Sequence, residues 1–446
     1  MRQILWFRRD LRVKDNAILA HAQGEVLPIF IFDTNILNKL PSNDKRVTFI
    51  YQSVLKLKKE LQNLGLDLAI FYDEPQTVFK NLKTAGFTSA LCSVDYDHYA
   101  KERDKKIEKI LPLQRFTDSF LIHPKEVLNK SHLPYKVFTP FYNALHYLWE
   151  AHNIKAFECS KNLSLTHFDY PNIPTLQEMG FTKQLLPDFL MQNPHELLKN
   201  FTQSLNDYSQ KRDFIALNGT SQMSVFLRFG LISPKEVFNT MRSYPQSQAY
   251  IRQLFFREFY NYLLYHFPKT QFENQKPIEV EWNNNKEHFK KWCKGETGVP
   301  IVDAAMQHLN TTGLMHNRLR MIVASYLTKN LLINWQWGEA YFAEKLLDYE
   351  ASSNIASWQW AASTGSDAVP YFRIFNPYLQ SAKFDKEGVF ITLVLPWLKE
   401  VDAKRLHKEN ATQSDLFLNY PQQIVSIAQS RSRAIETFKK AHYENA

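Results

Sequence analysis

VLPIFIF, residues 26–32, is an uninterrupted apolar run, and it is one of four short, mainly apolar runs near the start of the chain, with ILWF at 4–7, LDLAIFY at 66–72 and ALCSV at 90–94. Helical patterns alternate with them. Between the second and third runs Ile50, Val54, Leu57, Leu61 and Leu64 recur at spacings of four and three, and Gly65 follows as a helix stop. Short apolar strands separated by amphipathic helices are the pattern of βαβ units, so residues 1–125 are predicted to form an α/β domain on a parallel sheet. After residue 125 the pattern changes. HLPYKVFTPF (132–141) and FDYPNIPTLQEMGF (168–181) carry prolines and show no β alternation, so 126–189 reads as a linker. From 190 to 446 the periodicity is helical, without repeats or low-complexity tracts, and a second, all-α domain is expected there.

A chain of 446 residues exceeds the size at which one core stops growing, which favours two domains. Lys plus Arg outnumber Asp plus Glu by 54 to 45, a net charge of +9 that favours a polyanionic partner such as nucleic acid, with compositional drift as the plainer explanation. Cys92, Cys159 and Cys293 are widely spaced with no C-x-x-C pair, so no metal site is expected and a reducing cytoplasm fits. The apolar run Ile4–Phe7 is too short for an export signal. Met321–Trp337, the most apolar long stretch, contains Lys329 and falls short of the roughly 18–20 apolar residues of a membrane span. No H-E-x-x-H, G-x-S-x-G or G-K-[ST] motif occurs, so hydrolase and nucleoside-triphosphatase readings lack support.

The residues with chemistry to offer gather in the second half. WQWAASTGSDAVPYFRIF (358–375) sets indoles beside small residues, an Asp and an Arg, with Asp348 and Asn354 upstream and a second W-x-W pair at Trp335 and Trp337. An aromatic core explains these residues as well as a flat ligand does, and on composition alone better. In Gly313–Asn334, Leu319, Ile322, Val323, Tyr326 and Leu327 follow helical spacing and face a core, while Asn317, Arg320, Met321 and Ala324 share another face that reads as a ligand wall or as an ordinary polar side. His316 reads as structural. Gly219 is followed by Thr220 and Ser221 and then an apolar helical pattern, which suits phosphate binding at a helix start and equally suits plain capping. Tyr208 and Arg212 stand one turn apart just before it. The 249–268 helix mixes Arg252, Gln253, Phe256, Arg257 and Tyr260, compatible with base stacking or with an Arg257–Glu258 ion pair over buried aromatics.

Taken together these segments resemble the DNA photolyase and cryptochrome family. The likeness runs from WFRRDLRVKDN at 6–16 to YPQQIVSIAQSR at 420–431, and its most specific stretches are TGVPIVDAAMQHL, MHNRLRM, WQWAASTGSDAVPYFRIFNP and YSQKRDF with GTSQMS. The resemblance, strongest to bacterial class I enzymes that act on cyclobutane pyrimidine dimers, implies a Rossmann-like antenna domain and a helical domain enclosing FAD. By position in those motifs, Tyr208, Thr220, Ser221, Gln222, Met223, Ser224 and Arg257 would hold the cofactor. Arg320 and Asp348, followed by Tyr349 and Glu350, would lie beside the flavin ring, and Asn354 would face its N5. Trp282, Trp335 and Trp358 match an electron relay. Asn317, Met321 and Trp360 match a pocket for the flipped-out lesion, and Arg212, Arg318 and Arg373 match phosphate clamps.

The resemblance implies a cytoplasmic, monomeric DNA-repair lyase driven by blue light, with damaged DNA as its partner, no obligate protein partner and no membrane. This chain departs from the family pattern at Gln253, Phe256 and Leu314, where family members carry Glu, Trp and Trp. Those changes keep two alternatives in view, a cryptochrome-like photoreceptor and a photolyase of pyrimidine-pyrimidone lesions. Tyr99 and Ala100 replace the Asn-Glu pair of folate-binding members, so a second chromophore, methenyltetrahydrofolate or a deazaflavin, lacks support in the sequence.

Overall fold

The computed structural model describes residues 2–151, 155–169, 172–410 and 420–443. The four apolar runs become strands β1 (Arg2–Phe7), β2 (Gly24–Asp33), β3 (Ala69–Asp73) and β4 (Ser89–Ser93), and β5 (Leu113–Phe116) completes a parallel sheet of order β3-β2-β1-β4-β5. Val26–Asp33 is buried without interruption, the mark of a strand covered on both faces, and this is why the run reads as continuous rather than alternating. Helix Lys45–Gln62 carries most of the predicted apolar face, with Val54, Leu57 and Leu61 buried, Ile50 half-buried and Leu64 exposed past its end, and Asp44 accepts a capping bond from the Arg46 N–H. Ile4, Trp6, Leu27, Ile29, Val78 and Phe79 form the core on one side of the sheet.

Two strands were not legible in the pattern: β5, whose sequence LQRF carries no apolar run, and a short sixth. β6 (Leu163–Leu165) lies in the segment read as a linker and pairs in parallel with Gly24–Val26 of β2. Three residues are too few to set a period of two, so the sequence carries no sign of it.

The chain folds into two compact units, each assembled from separated stretches. The first contains Met1–Tyr135, Thr139–Gln203 and Ser221–Pro268, and the second Lys136–Phe138, Ser204–Thr220 and Lys269–Ala446. The described part of the second unit is helical. Its core gathers Trp292, Val302, Met306, Leu319, Val323, Leu327, Trp335 and Trp358. The helix predicted over Gly313–Asn334 spans Asn317–Ser325 and continues as a π-turn, Tyr326–Asn330. It starts late because Gly313, at φ +75°, terminates helix Pro300–Thr312, and His316 then caps the next one by accepting from the Arg318 N–H. Among the described residues no helix is long and apolar enough to cross a membrane, and no group of three His, Cys, Asp or Glu is placed to hold a metal.

Candidate functional site

In the second unit, helix Ala351–Ala362 places Asn354 and Trp358 one turn apart, both buried, with Trp360 half-buried beyond them. Asn354 is held through both donors of its amide: Nδ2 donates to the Glu339 carbonyl at 3.1 Å and to Glu339 Oε1 at 2.9 Å. That leaves Oδ1, an acceptor, as the remaining hydrogen-bonding atom of the side chain. Burial raises the Glu339 carboxyl above the usual range, opposed by bonds from Asn354 and from the Tyr349 hydroxyl, which lies 3.4 Å from Oε1. Sequence reasoning passed over Glu339, because fifteen residues separate it from Asn354 and only the packing of two helices joins them.

Arg320 grips Asp348 with one nitrogen on both carboxylate oxygens, at 3.0 and 2.8 Å, while its Nε donates to the Met315 carbonyl at 2.9 Å. The Asp348 side chain is 6 % exposed and that of Arg320 28 %, so the pair keeps an open flank on the guanidinium side. Glu350 is the N-cap residue of helix Ala351–Ala362 and makes no side-chain capping bond. Asn317 is exposed, with its amide 3.7 Å from the Met321 sulfur. Arg318 pairs with Asp213 at 3.0 Å and lies 4.2 Å over the Phe384 ring, while Arg373 is exposed. Tyr208 is buried with Arg212 5.9 Å over its ring. His316 Nε2 meets the Arg212 carbonyl at 2.9 Å while Nδ1 accepts from Arg318, the pattern of a neutral imidazole. Burial lowers its pKa accordingly, so it is structural as expected.

Trp358 is pressed flat into the core. A Cβ on Gly338 would stand 2.2 Å from the indole, so helix Trp335–Lys345 meets that ring with bare backbone. Its ring neighbours are Phe342 at 5.0 Å and Trp292 at 6.1 Å, both edge-on. Trp335 is buried and donates its indole N–H to Asn274 Oδ1 at 2.8 Å, and the half-buried Trp282 sits 5.8 Å from Phe438. Trp292, fully buried, was missed by sequence reading, because a lone Trp in KKWCKG carries no signal of its neighbours.

In the first unit Ser221 Oγ and the Tyr250 hydroxyl share a 2.9 Å hydrogen bond, and Gln222 adopts φ +57° ahead of the buried Met223. The helix begun by Ser224 runs only to Phe229, and Gly230 ends it in a left-handed turn where a Cβ would meet the Arg9 carbonyl at 2.0 Å. Thr220 closes the preceding stretch in the second unit. Arg257 donates to the Ser119 carbonyl at 2.8 Å and lies 3.7 Å from Glu258 and 4.5 Å over Phe120, so the dull alternative weighed from sequence, an ion pair over aromatics, is present. Gln253 and Phe256 are half-buried on helix Gln248–His266, with Arg252 5.9 Å over the Phe256 ring.

Known proteins resemble the chain over nearly its whole length. Residues 3–159 match the family described as DNA photolyase, and residues 250–440 match the FAD binding domain of DNA photolyase. The chain is 36 % identical to a deoxyribodipyrimidine photo-lyase of Salmonella typhimurium, covering 98 % of both chains. The chain belongs to the DNA photolyase family. The photo-lyase of Escherichia coli is 34 % identical over 98 % of both chains. A class III photolyase of Agrobacterium tumefaciens superposes with a TM-score of 0.85 at 31 % identity, covering 99 % of this chain and 98 % of that one. An archaeal photolyase of Sulfolobus tokodaii, solved with two FAD molecules, gives the same TM-score at 31 % identity, covering 99 % and 100 %. A Synechocystis cryptochrome shares the fold at 23 % identity and a TM-score of 0.88. FAD is therefore the cofactor of this photolyase chain, and the residues present fit it. The Asn354 amide oxygen and the Asp348-anchored Arg320 guanidinium in the second unit are groups that a flat, amphipathic ring system would engage.

Proposed function

We propose that the protein is a light-driven repair enzyme that splits cyclobutane pyrimidine dimers in DNA, a carbon-carbon lyase acting on damaged strands as a cytoplasmic monomer. Residues 1–125 serve as the antenna domain, 126–189 as the link and 190–446 as the catalytic domain. The observation that carries the reading is the Asn354–Glu339 clamp one helical turn from the buried Trp358, which ties up both amide donors and leaves the amide oxygen as an acceptor. FAD supplies light absorption and the transferable electron.

The chain's own residues do the rest. Asn354 Oδ1 receives a hydrogen bond at the ring and favours its protonated, reduced form, while the Arg320–Asp348 pair neutralises charge at the ring's edge. Ser221, Gln222, Met223 and Ser224 bind the chain of the cofactor, with Tyr208, Thr220 and Arg257 supporting it. Trp358, Trp335 and Trp282 return the flavin to its reduced state. Asn317, Met321 and Trp360 receive the dimer, where exclusion of water protects the splitting ring. Arg212, Arg318 and Arg373 hold the strand by its phosphates.

The test is direct. Reduced protein incubated with dimer-containing DNA under blue light restores the pyrimidines, while dark controls do not. Unchanged dimers after illumination reject the reading, and photoreduction without repair would instead indicate a photoreceptor.

A further inference from the structure

We propose that Lys329 is a positioning residue for repair: its buried amine pins the turn that ends helix Ala351–Ala362 and so sets how Trp360 and Arg373 meet the damaged strand. The proposal rests on the repair reading above and deepens it by a residue that none of the family motifs contains.

Lys329 lies on the π-turn Tyr326–Asn330 and is 1 % exposed, with its amine 3.3 Å from the centre of the Phe438 ring. Burial drives its pKa well below the usual lysine value, and nearby Lys276 pushes in the same direction. An unbranched apolar side chain would occupy such surroundings at lower cost, so what the amine adds lies in its bonds. Nζ donates to Ser363 Oγ at 2.8 Å and to the Ala362 carbonyl at 3.3 Å.

Both acceptors belong to one turn. Ser363 closes the helix in the left-handed region at φ +64°, a conformation that a residue with a Cβ keeps only where its surroundings impose it. The Ser363 N–H donates to the Trp360 carbonyl at 3.2 Å and the Thr364 N–H to the Gln359 carbonyl at 3.0 Å. The chain then doubles back, with the Val369 N–H donating to the same Trp360 carbonyl at 3.3 Å and the Arg373 N–H to the Pro370 carbonyl at 2.9 Å. Tyr371 and Ile374 pack against the cluster of Leu332, Ala434 and Phe438, while Phe372 and Arg373 stand exposed between them. The Lys329 amine therefore joins the start of this loop to the ring on which its far end rests.

Without the amine the turn is loosened at its origin. Trp360 and Arg373 then occupy several orientations, and the strand must order them as it binds. Trp358 is held independently, by Gly338, Phe342 and Trp292, and keeps its place. Loss of Lys329 thus separates strand binding from electron supply.

The test uses the flavin-loaded, full-length protein and a short duplex carrying one dimer. Lys329→Met should weaken binding of that duplex about five- to tenfold, as expected for one lost buried hydrogen-bonded anchor, while photoreduction of the flavin and repair at saturating duplex stay at the parental level. Ser363→Ala should weaken binding by a smaller factor, and the double variant should bind no more weakly than Lys329→Met. Parental affinity in Lys329→Met overturns the proposal, as does an additive loss in the double variant. A parallel fall in affinity, photoreduction and near-UV circular dichroism also overturns it, because the lysine would then be a structural support only. Should Lys329→Met fail to fold, Ser363→Ala decides, and parental affinity there sinks the idea. A parental protein that neither binds nor repairs the dimer would instead remove the repair reading itself.

Discussion

The carboxyl ends of the sheet in the first unit and the Asn354 helix in the second treat their polar groups in opposite ways. At the sheet, Arg8 pairs with Asp104 at 2.7 Å, Arg9 with Asp95 at 2.9 Å and Arg12 with Asp118 at 2.7 Å, and these side chains are almost wholly buried. Arg12 also donates to the carbonyls of Lys14, Asp15 and Gly230. Its charge is consumed internally. Around Asn354 the bonds stop one short, at an amide oxygen and at the partly open flank of Arg320. The Arg12 knot spends its donors on protein partners, whereas the proposed flavin site keeps an acceptor and an open guanidinium flank for a ligand.

The comparison breaks first at Arg12. Arg12→Ala leaves the Asp118 carboxylate buried and uncompensated, and unfolding by denaturant should show a loss of about 3–5 kcal/mol with the flavin spectrum of the folded fraction unchanged. Replacing both partners by Met and Leu should recover most of it. A loss below about 1 kcal/mol from the single change would show that the knot is idle.

A pH effect sharpens the contrast within the second unit. Asp303 is fully buried and accepts from the Thr297 N–H and hydroxyl, the Gly298 N–H and the Tyr420 hydroxyl, yet burial raises its pKa to about 6. A carboxyl with a raised folded pKa contributes stability that is full below its unfolded value and lost as pH climbs through the folded one. The stability of the protein relative to Asp303→Asn should therefore fall by about 3 kcal/mol in all from about pH 3 to 7, about 2 of it between pH 4 and 6, and stay level above that. A difference that grows with pH would show the four donors outweighing burial.

Gly338→Ala comes next, at about 1–3 kcal/mol, since its Cβ must displace the Trp358 ring or the Leu327 side chain. Flash photolysis should show slower photoreduction in the same variant, and an unchanged rate would separate packing from electron flow. The smallest effect belongs to the exposed Arg373. Arg373→Ala should leave stability within about 0.5 kcal/mol and lower the salt slope of DNA binding by about one, and a parental slope would remove it from the phosphate contacts.

What could be read from sequence divides along physical lines. Strands buried on both faces leave unbroken apolar runs, so β1 to β4 were legible, and the 45–62 helix announced itself by its period. The pairing of Arg320 with Asp348 was legible only through the family motifs, since the 27 intervening residues carry no spacing rule. Glu339, Gly338 and Trp292 were not legible at all. Each matters because of what another helix brings against it, a carboxamide, an indole edge or a pair of phenyl faces, and contact between helices leaves no mark in local order.

The interleaving of the two compact units sets a schedule for synthesis. The chain passes between them five times, at the junctions after residues 135, 138, 203, 220 and 268. Ser204–Thr220 therefore leaves the ribosome long before the helices from Lys269 onward that complete its unit, and it must wait with Tyr208 and its apolar neighbours unhoused. The first unit closes as soon as Pro268 is made. The unit that carries Asn354 and Trp358 is thus the last to mature, and a stalled or truncated product would be a finished sheet domain trailing a sticky, unfinished loop.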